Sequence, residues 1–274
     1  MSADFLDSVL VTRRDAVFAE YGELAPADRE RLACCARAPL DFAAALRDRD
    51  DVAVIAEVKK SSPSAGPIAL DCEASKQALH YQDGGAAAIS VLTEPRFFGG
   101  SYADLSDVAD AVEVPVLDKD FVVDPVQLFV ARGHGADAVL LMVSVLGQLV
   151  GEYSDTAATL GLTPLVEVTD PNELHTALGS GATVIGVNSR DLRSLEVDKK
   201  RALEVIAEAA AAGVIVVAAS GVRERADVEA AAEAGADAVL VGETLMRSPF
   251  PEEVLEELTG VAKGSAATRS GIGS

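Results

Sequence analysis

Tryptophan is absent from this chain, and aromatic residues make up only 4% of its 274 positions. The core must therefore be aliphatic, and a hydrophobic content of 49% is enough to build one. A chain of nearly this length hides about three quarters of its unfolded surface, so no disulfide or metal staple is needed. Cysteine is scarce: Cys34, Cys35 and Cys72 are odd in number and lack C-x-x-C spacing. That pattern excludes a disulfide framework and a zinc ribbon and suits a reducing compartment. Positive charge is also short, with 23 Lys and Arg against 44 Asp and Glu, a net charge of −21. Such a surface argues against nucleic acid and against anionic membranes as partners. A mean hydropathy of +0.23 excludes wholesale disorder. No basic start followed by an apolar stretch marks a secretion leader. The longest apolar run, Ala138 to Val150, is broken by Ser144, Gly147 and Gln148 and is too short to span a bilayer. A cytoplasmic protein is expected. Arginine outnumbers lysine and alanine is abundant, a texture expected of a protein kept soluble in concentrated salt.

One short pattern recurs. Gly85-Ala86, Gly135-Ala136, Gly181-Ala182 and Gly235-Ala236 each close a helix-like stretch and open an apolar, β-branched run. Glycine belongs just past a helix C-terminus, where the chain turns left-handed. Between the four copies fall further strand candidates at Val52–Glu57, Val114–Asp118, Thr163–Val168 and Val214–Ala219. Eight apolar strands alternating with amphipathic helices at Ser101–Ala111, Asp124–Arg132, Lys199–Ala212 and Arg223–Ala234 read as a parallel α/β sheet. Asp124-Pro125 and Asp170-Pro171 place a capping acceptor before a proline at the first helical position. The spacing predicts one closed (β/α)8 TIM barrel spanning 1–274; an open doubly wound sheet is the competitor, weakened by the lack of G-x-G-x-x-G after the first strand. Residues 1–50 are read as a helical extension packed on the barrel, with helices over Asp4–Glu20 and Pro39–Arg47. The segment 261–274 is read as a flexible tail.

In a barrel, inward residues alternate along each strand and chemistry collects at the C-terminal strand ends. Parity then puts Ala53, Ile55, Glu57 and Lys59 on one face, and Lys119 on the face of Pro115 and Leu117. Glu167, Asn188, Ser220-Gly221 and Gly242-Glu243 end later strands. Each alone reads equally well as solvated loop. Two lysines, two acids and an amide converging on one rim point to proton transfer. The positions after strands seven and eight suit a phosphate, and Ser62 adds a hydroxyl nearby. His80, His134 and His175 are scattered, so no metal site is expected.

Seven segments, in order, resemble the motifs of the indole-3-glycerol phosphate synthase family: IAEVKKSSPSAG (55–66), SVLTEPRFFGGSYADL (90–105), PVLDKDFVVDPVQL (115–128), LVEVTDPNEL (165–174), IGVNSRDL (185–192), ASGV (219–222) and LVGETLM (240–246). The resemblance implies a barrel enzyme that closes an anthranilate ribulose 5-phosphate into indole-3-glycerol phosphate, with loss of carbon dioxide and water. It implies Lys119, Lys59, Glu57, Glu167 and Asn188 as the catalytic set. Phe98, Phe121, Leu192 and Arg190 would form the ring pocket, and Ser62, Ser220, Gly221, Gly242 and Glu243 would hold the phosphate. The Glu243 carboxylate should turn to solvent. No cofactor or metal is implied, since the lysines can serve as acids. Many members carry an acid directly before the Ser-Gly pair, where this chain has Ala219. A class I aldolase with Lys119 as Schiff base, a sugar-phosphate isomerase and a non-catalytic sugar-phosphate-binding barrel remain alternatives. A monomer is expected, a weak dimer being the alternative.

Overall fold

Eight short parallel strands close on themselves in the computed structural model, which describes residues 5–34, 37–190 and 197–264. Three helices come first: α1 (Phe5–Tyr21), α2 (Pro26–Ala33) and α3 (Phe42–Arg47). Strand β1 (Ala53–Val58) is followed by a small hairpin, β2 (Ser61–Ser62) and β3 (Gly66–Pro67), and by α4 (Ala74–Asp83). The alternation then runs β4 (Ala88–Leu92), α5 (Tyr102–Ala111), β5 (Val116–Lys119), α6 (Val126–Gly133) and β6 (Ala138–Met142). A short α7 (Val143–Leu146) and α8 (Val150–Thr159) lead to β7 (Thr163–Val168), α9 (Pro171–Gly179) and β8 (Val184–Val187). The chain finishes with α10 (Lys199–Ala211), β9 (Ile215–Ala218), α11 (Arg225–Ala234), β10 (Ala238–Val241), α12 (Glu243–Arg247) and α13 (Pro251–Leu258). Pairing of β1 with both β10 and β4 closes the barrel.

Strand parity works as the period of two requires. Ala53 and Ile55 face inward with Leu117, Leu140, Leu165, Val217 and Leu240. Val54, Ala56 and Val58 face outward under the helices. The four Gly-Ala pairs sit where expected, and all four glycines have positive φ, from 82° to 101°. Asp170 caps α9 through the N–H groups of Asn172 and Glu173, with Pro171 in the first turn.

The helical extension touches both ends of the barrel. At the mouth, α1 buries Leu6, Val9 and Leu10 against the inner cluster. It is pinned there by Arg13, whose Nε lies 3.0 Å from both Asp120 oxygens. At the floor, α3 inserts fully buried Phe42 and Leu46 against small inward residues, among them Ala53, Ala88 and Ala138. Two buried aspartates stitch the floor. Asp137 accepts the N–H groups of Val116 and Leu40 and pairs with Arg37. Asp237 accepts the N–H of Val216, with Lys263 Nζ at 3.8 Å.

Four readings need correction. Helix α2 was not anticipated, because its eight residues bury none of their own side chains fully and carry no apolar stripe. The third helix begins at Phe42 rather than Pro39, since Asp41 is its N-cap and accepts the Ala44 N–H. The hairpin β2–β3 was not anticipated. The tail does not leave the barrel at residue 261: Val261 is buried, Ala262 bridges to Asp51, and Lys263 donates to the Leu46 and Arg47 carbonyls.

Asp118 has a carboxyl on the outer face of β5, 1% exposed. Thr93 Oγ1 donates to its Oδ1 at 2.6 Å, and Oδ2 has no partner among the described residues. Burial and then the neighbouring Asp120 charge push this carboxyl up to about 8, against Thr93 and Arg13. The folded chain thus holds a proton that the unfolded chain releases near pH 4, roughly. Stability from this site is full below that range and is lost as pH rises to about 8. Thermal melts of Asp118→Asn should show a flatter decline over this window than the parent. Phe42→Ala should cost about 3–5 kcal/mol in urea unfolding, because the ring is fully buried against small floor residues and its loss leaves a cavity.

Candidate functional site

The C-terminal strand ends open into a cavity of about 330 Å³. Its centre is a charge cluster built by β1, β5 and β7. Glu57 is 2% exposed, and its Oε1 accepts from Lys59 Nζ at 2.6 Å. Lys119 Nζ stands 3.4 Å from the other oxygen. Burial alone would raise the Glu57 carboxyl, but the Lys59 and Lys119 charges overcome it and bring it to about 2. Lys119 is raised: burial opposes its charge, and Glu57 and Glu167 more than restore it. Glu167 is raised mainly by burial, against Lys119 and a hydrogen bond from Asn188. At neutral pH the cluster therefore offers an ionised Glu57 and a protonated Lys119.

Asn188 links the two sides of the mouth. Its Nδ2 donates to Glu167 Oε1 at 3.0 Å, and its Oδ1 accepts from Ser220 Oγ at 2.6 Å and from the Arg190 N–H. The Ser220 hydroxyl also accepts the Ser189 N–H at 2.9 Å. Gly221 has φ +85°, and a Cβ there would come within 2.8 Å of Ser189 Oγ. Gly242 is tighter still: a Cβ would lie 2.3 Å from Glu57 Oε1 and 3.0 Å from Lys59 Nζ. The strand-eight glycine thus leaves space for the ion pair. Glu243 turns along α12 to Arg247 at 3.0 Å, half exposed, as its charge demands. Ser62 lines the cavity and accepts the Ala65 N–H.

Opposite lies an apolar wall. The Phe98 and Phe121 rings are 6.2 Å apart and tilted by 42°. Phe98 is set by buried Glu94, whose Oε2 accepts the N–H groups of Phe97 and Phe98. Leu92, Leu140, Met142 and Leu240 continue the wall. Leu192 lies outside the described residues. Every other residue singled out from the sequence, Arg190 included, lines this one cavity.

The sequence reading missed Phe5, Lys199, Arg223, Thr244 and Arg247, which also line it. Thr244 and Arg247 follow Gly242 directly, so their place after the last strand was a usable signal. Phe5 reaches the mouth only because α1 folds across it, which no local pattern announces. Among the described residues no group of three or more His, Cys, Asp or Glu converges as a metal site would, and no helix is long and apolar enough to cross a membrane.

The family model for indole-3-glycerol phosphate synthase matches residues 6–258. The chain belongs to the indole-3-glycerol phosphate synthase family. It is 48% identical to the indole-3-glycerol phosphate synthase of Mycobacteroides abscessus over 258 residues, covering 94% of each chain. It is equally 48% identical to the enzyme of that name from Mycobacterium leprae, over 93% of this chain and 94% of the relative. The barrel itself is shared more widely. A 3-hexulose-6-phosphate synthase superposes with a TM-score of 0.62 at 16% identity, over 76% of this chain and 98% of the other. A thiamine phosphate pyrophosphorylase from Pyrococcus furiosus gives 0.58 at 18%, over 76% and 93%.

In this member of the indole-3-glycerol phosphate synthase family, Gly242 is a backbone position at which a side chain would meet the ion pair itself. Gly242→Ala should force Glu57 and Lys59 apart and raise the Glu57 carboxyl from about 2. Carboxyl titration by NMR, read beside a melting curve, checks this.

Proposed function

We propose that this chain converts 1-(2-carboxyphenylamino)-1-deoxyribulose 5-phosphate to indole-3-glycerol phosphate, carbon dioxide and water. The observation that carries the reading is the meeting of Lys59 and Lys119 on one buried carboxylate, between an aromatic wall and the Gly221 and Gly242 turns. Phe98 and Phe121, with Phe5 beside them, hold the anthranilate ring over its point of attack and remove much of the entropic barrier to closure. Backbone N–H groups around Gly221 and Gly242–Glu243, with Ser62, receive the phosphate, since the Ser220 hydroxyl is already engaged with Asn188.

Closure begins when the ring carbon bearing the carboxylate attacks the ketone carbon. Lys119 gives a proton to the ketone oxygen, a role suited to an ammonium that two carboxylates hold in its charged form. Carbon dioxide then leaves and returns its bonding electrons to the ring. Lys59 protonates the departing hydroxyl, and Glu57 takes the proton lost from the adjacent carbon. Two protons enter and one leaves, matching a carboxylate released as carbon dioxide. Glu167 stabilises the cationic intermediate, held in place by Asn188. Ala219 lines the cavity without a charge, so Glu57 and Glu167 carry the acid–base work there.

A Schiff base at Lys119 would need a neutral amine, and the flanking carboxylates favour the opposite state. Mixing the protein with the substrate over a range of salt should produce indole fluorescence. Lys119→Ala should lower kcat by at least about a hundredfold, in protein that a melting curve shows to be folded. Absence of fluorescence at every salt concentration, or full activity in Lys119→Ala, overturns the reading.

A further inference from the structure

Lys199 opens α10 and lines the cavity at the mouth. Its stem passes over the strand-seven turn: Cε lies 3.7 Å from where a Cβ on Gly221 would sit. Its Nζ ends on Asp227 Oδ1, in the first turn of α11. The other oxygen of Asp227 accepts the Arg223 N–H at 2.8 Å. One carboxylate therefore holds both the lysine head and the peptide that follows Gly221.

This ion pair is open to water, with the Lys199 side chain 52% exposed and Asp227 19% exposed. Solvated pairs of this kind are weak. A phosphate monoester seated on the Gly221 turn would present more charge and more acceptor oxygens to the same ammonium, within reach of a flexible four-carbon stem. Arg223 lines the same rim and has no side-chain partner among the described residues. The chain as a whole is strongly acidic, at a net −21. A cation at the entrance thus offsets a field that repels the ligand.

We propose that Lys199 is an exchangeable clamp for the phosphate monoester, resting on Asp227 in the empty site and moving to the ester when it is filled. The proposal rests on the phosphate placement given above. Asp227 then competes with the ligand, and the two partners of the pair act in opposite directions. That opposition separates a clamp from a pair that only braces the loop.

The test measures binding of inorganic phosphate by calorimetry, and KM and kcat for the ribulose phosphate substrate, in three variants. Lys199→Met keeps the stem and should weaken phosphate and raise KM about tenfold, as expected for a lost charge-assisted bond. Its kcat should stay near the parent value, and the dependence of KM on salt should become shallower. Asp227→Asn retains an oxygen for the Arg223 N–H and should tighten phosphate binding. Lys200→Met, whose parent side chain is 89% exposed, is the control and should change nothing. Unchanged phosphate affinity in Lys199→Met overturns the clamp. So does a loss of affinity in Asp227→Asn equal to that in Lys199→Met. Because the calorimetric arm needs no turnover, phosphate bound through Lys199 without indole formation would uphold the clamp and overturn the synthase reading.

Discussion

A carboxylate held almost out of water by two ammonium groups is the constraint around which this molecule is arranged. Glu57 could not stay ionised at 2% exposure without Lys59 and Lys119, since an unpaired buried charge costs several kcal/mol. The two lysines arrive from β1 and β5, so the cluster exists only when the barrel is closed. Its fourth wall is the missing side chain of Gly242. The last strand is thereby coupled to the first, and the Gly221 and Gly242 turns line one cavity with the charge cluster. Neither half of the site can be altered at Gly242 without disturbing the other.

Stability is organised at the other end. Barrel strands commonly divide labour between a reactive mouth and a structural floor, and here the floor is made by Phe42, Leu46 and two buried aspartates. Asp137 and Asp237 each follow a Gly-Ala pair and accept an N–H from the start of the neighbouring strand, Val116 and Val216 respectively. Two of the four copies of the repeat, at Gly135-Ala136 and Gly235-Ala236, therefore mark more than helix ends: there consecutive βα units are tied together by a side chain.

The strands and their facing were legible because a period of two survives any tertiary context. That is why Glu57, Lys59 and Lys119 could be placed on one rim from parity, with Glu167 and Asn188 joining them as strand ends, before any pairing was known. The floor and the extension were not legible in the same way. Helix α2 has almost no apolar face of its own, and Phe5 matters only through a contact made across the whole barrel. Lys199 looked like an ordinary helix start, because nothing local says that its stem crosses Gly221. Asp118 sits at an outward strand position where parity expects an apolar residue, and its burial beside Asp120 emerges only from the packing of α1 and α5.

The two ends of the described chain leave the barrel on opposite sides. Phe5 stands in the wall of the cavity at the mouth, whereas Ala262 and Lys263 are laced to the floor through Asp51 and the α3 carbonyls. A purification handle or a fused partner joined ahead of α1 would crowd the entrance. The same addition after residue 264 would hang from the distant face and leave the approach of small molecules unobstructed.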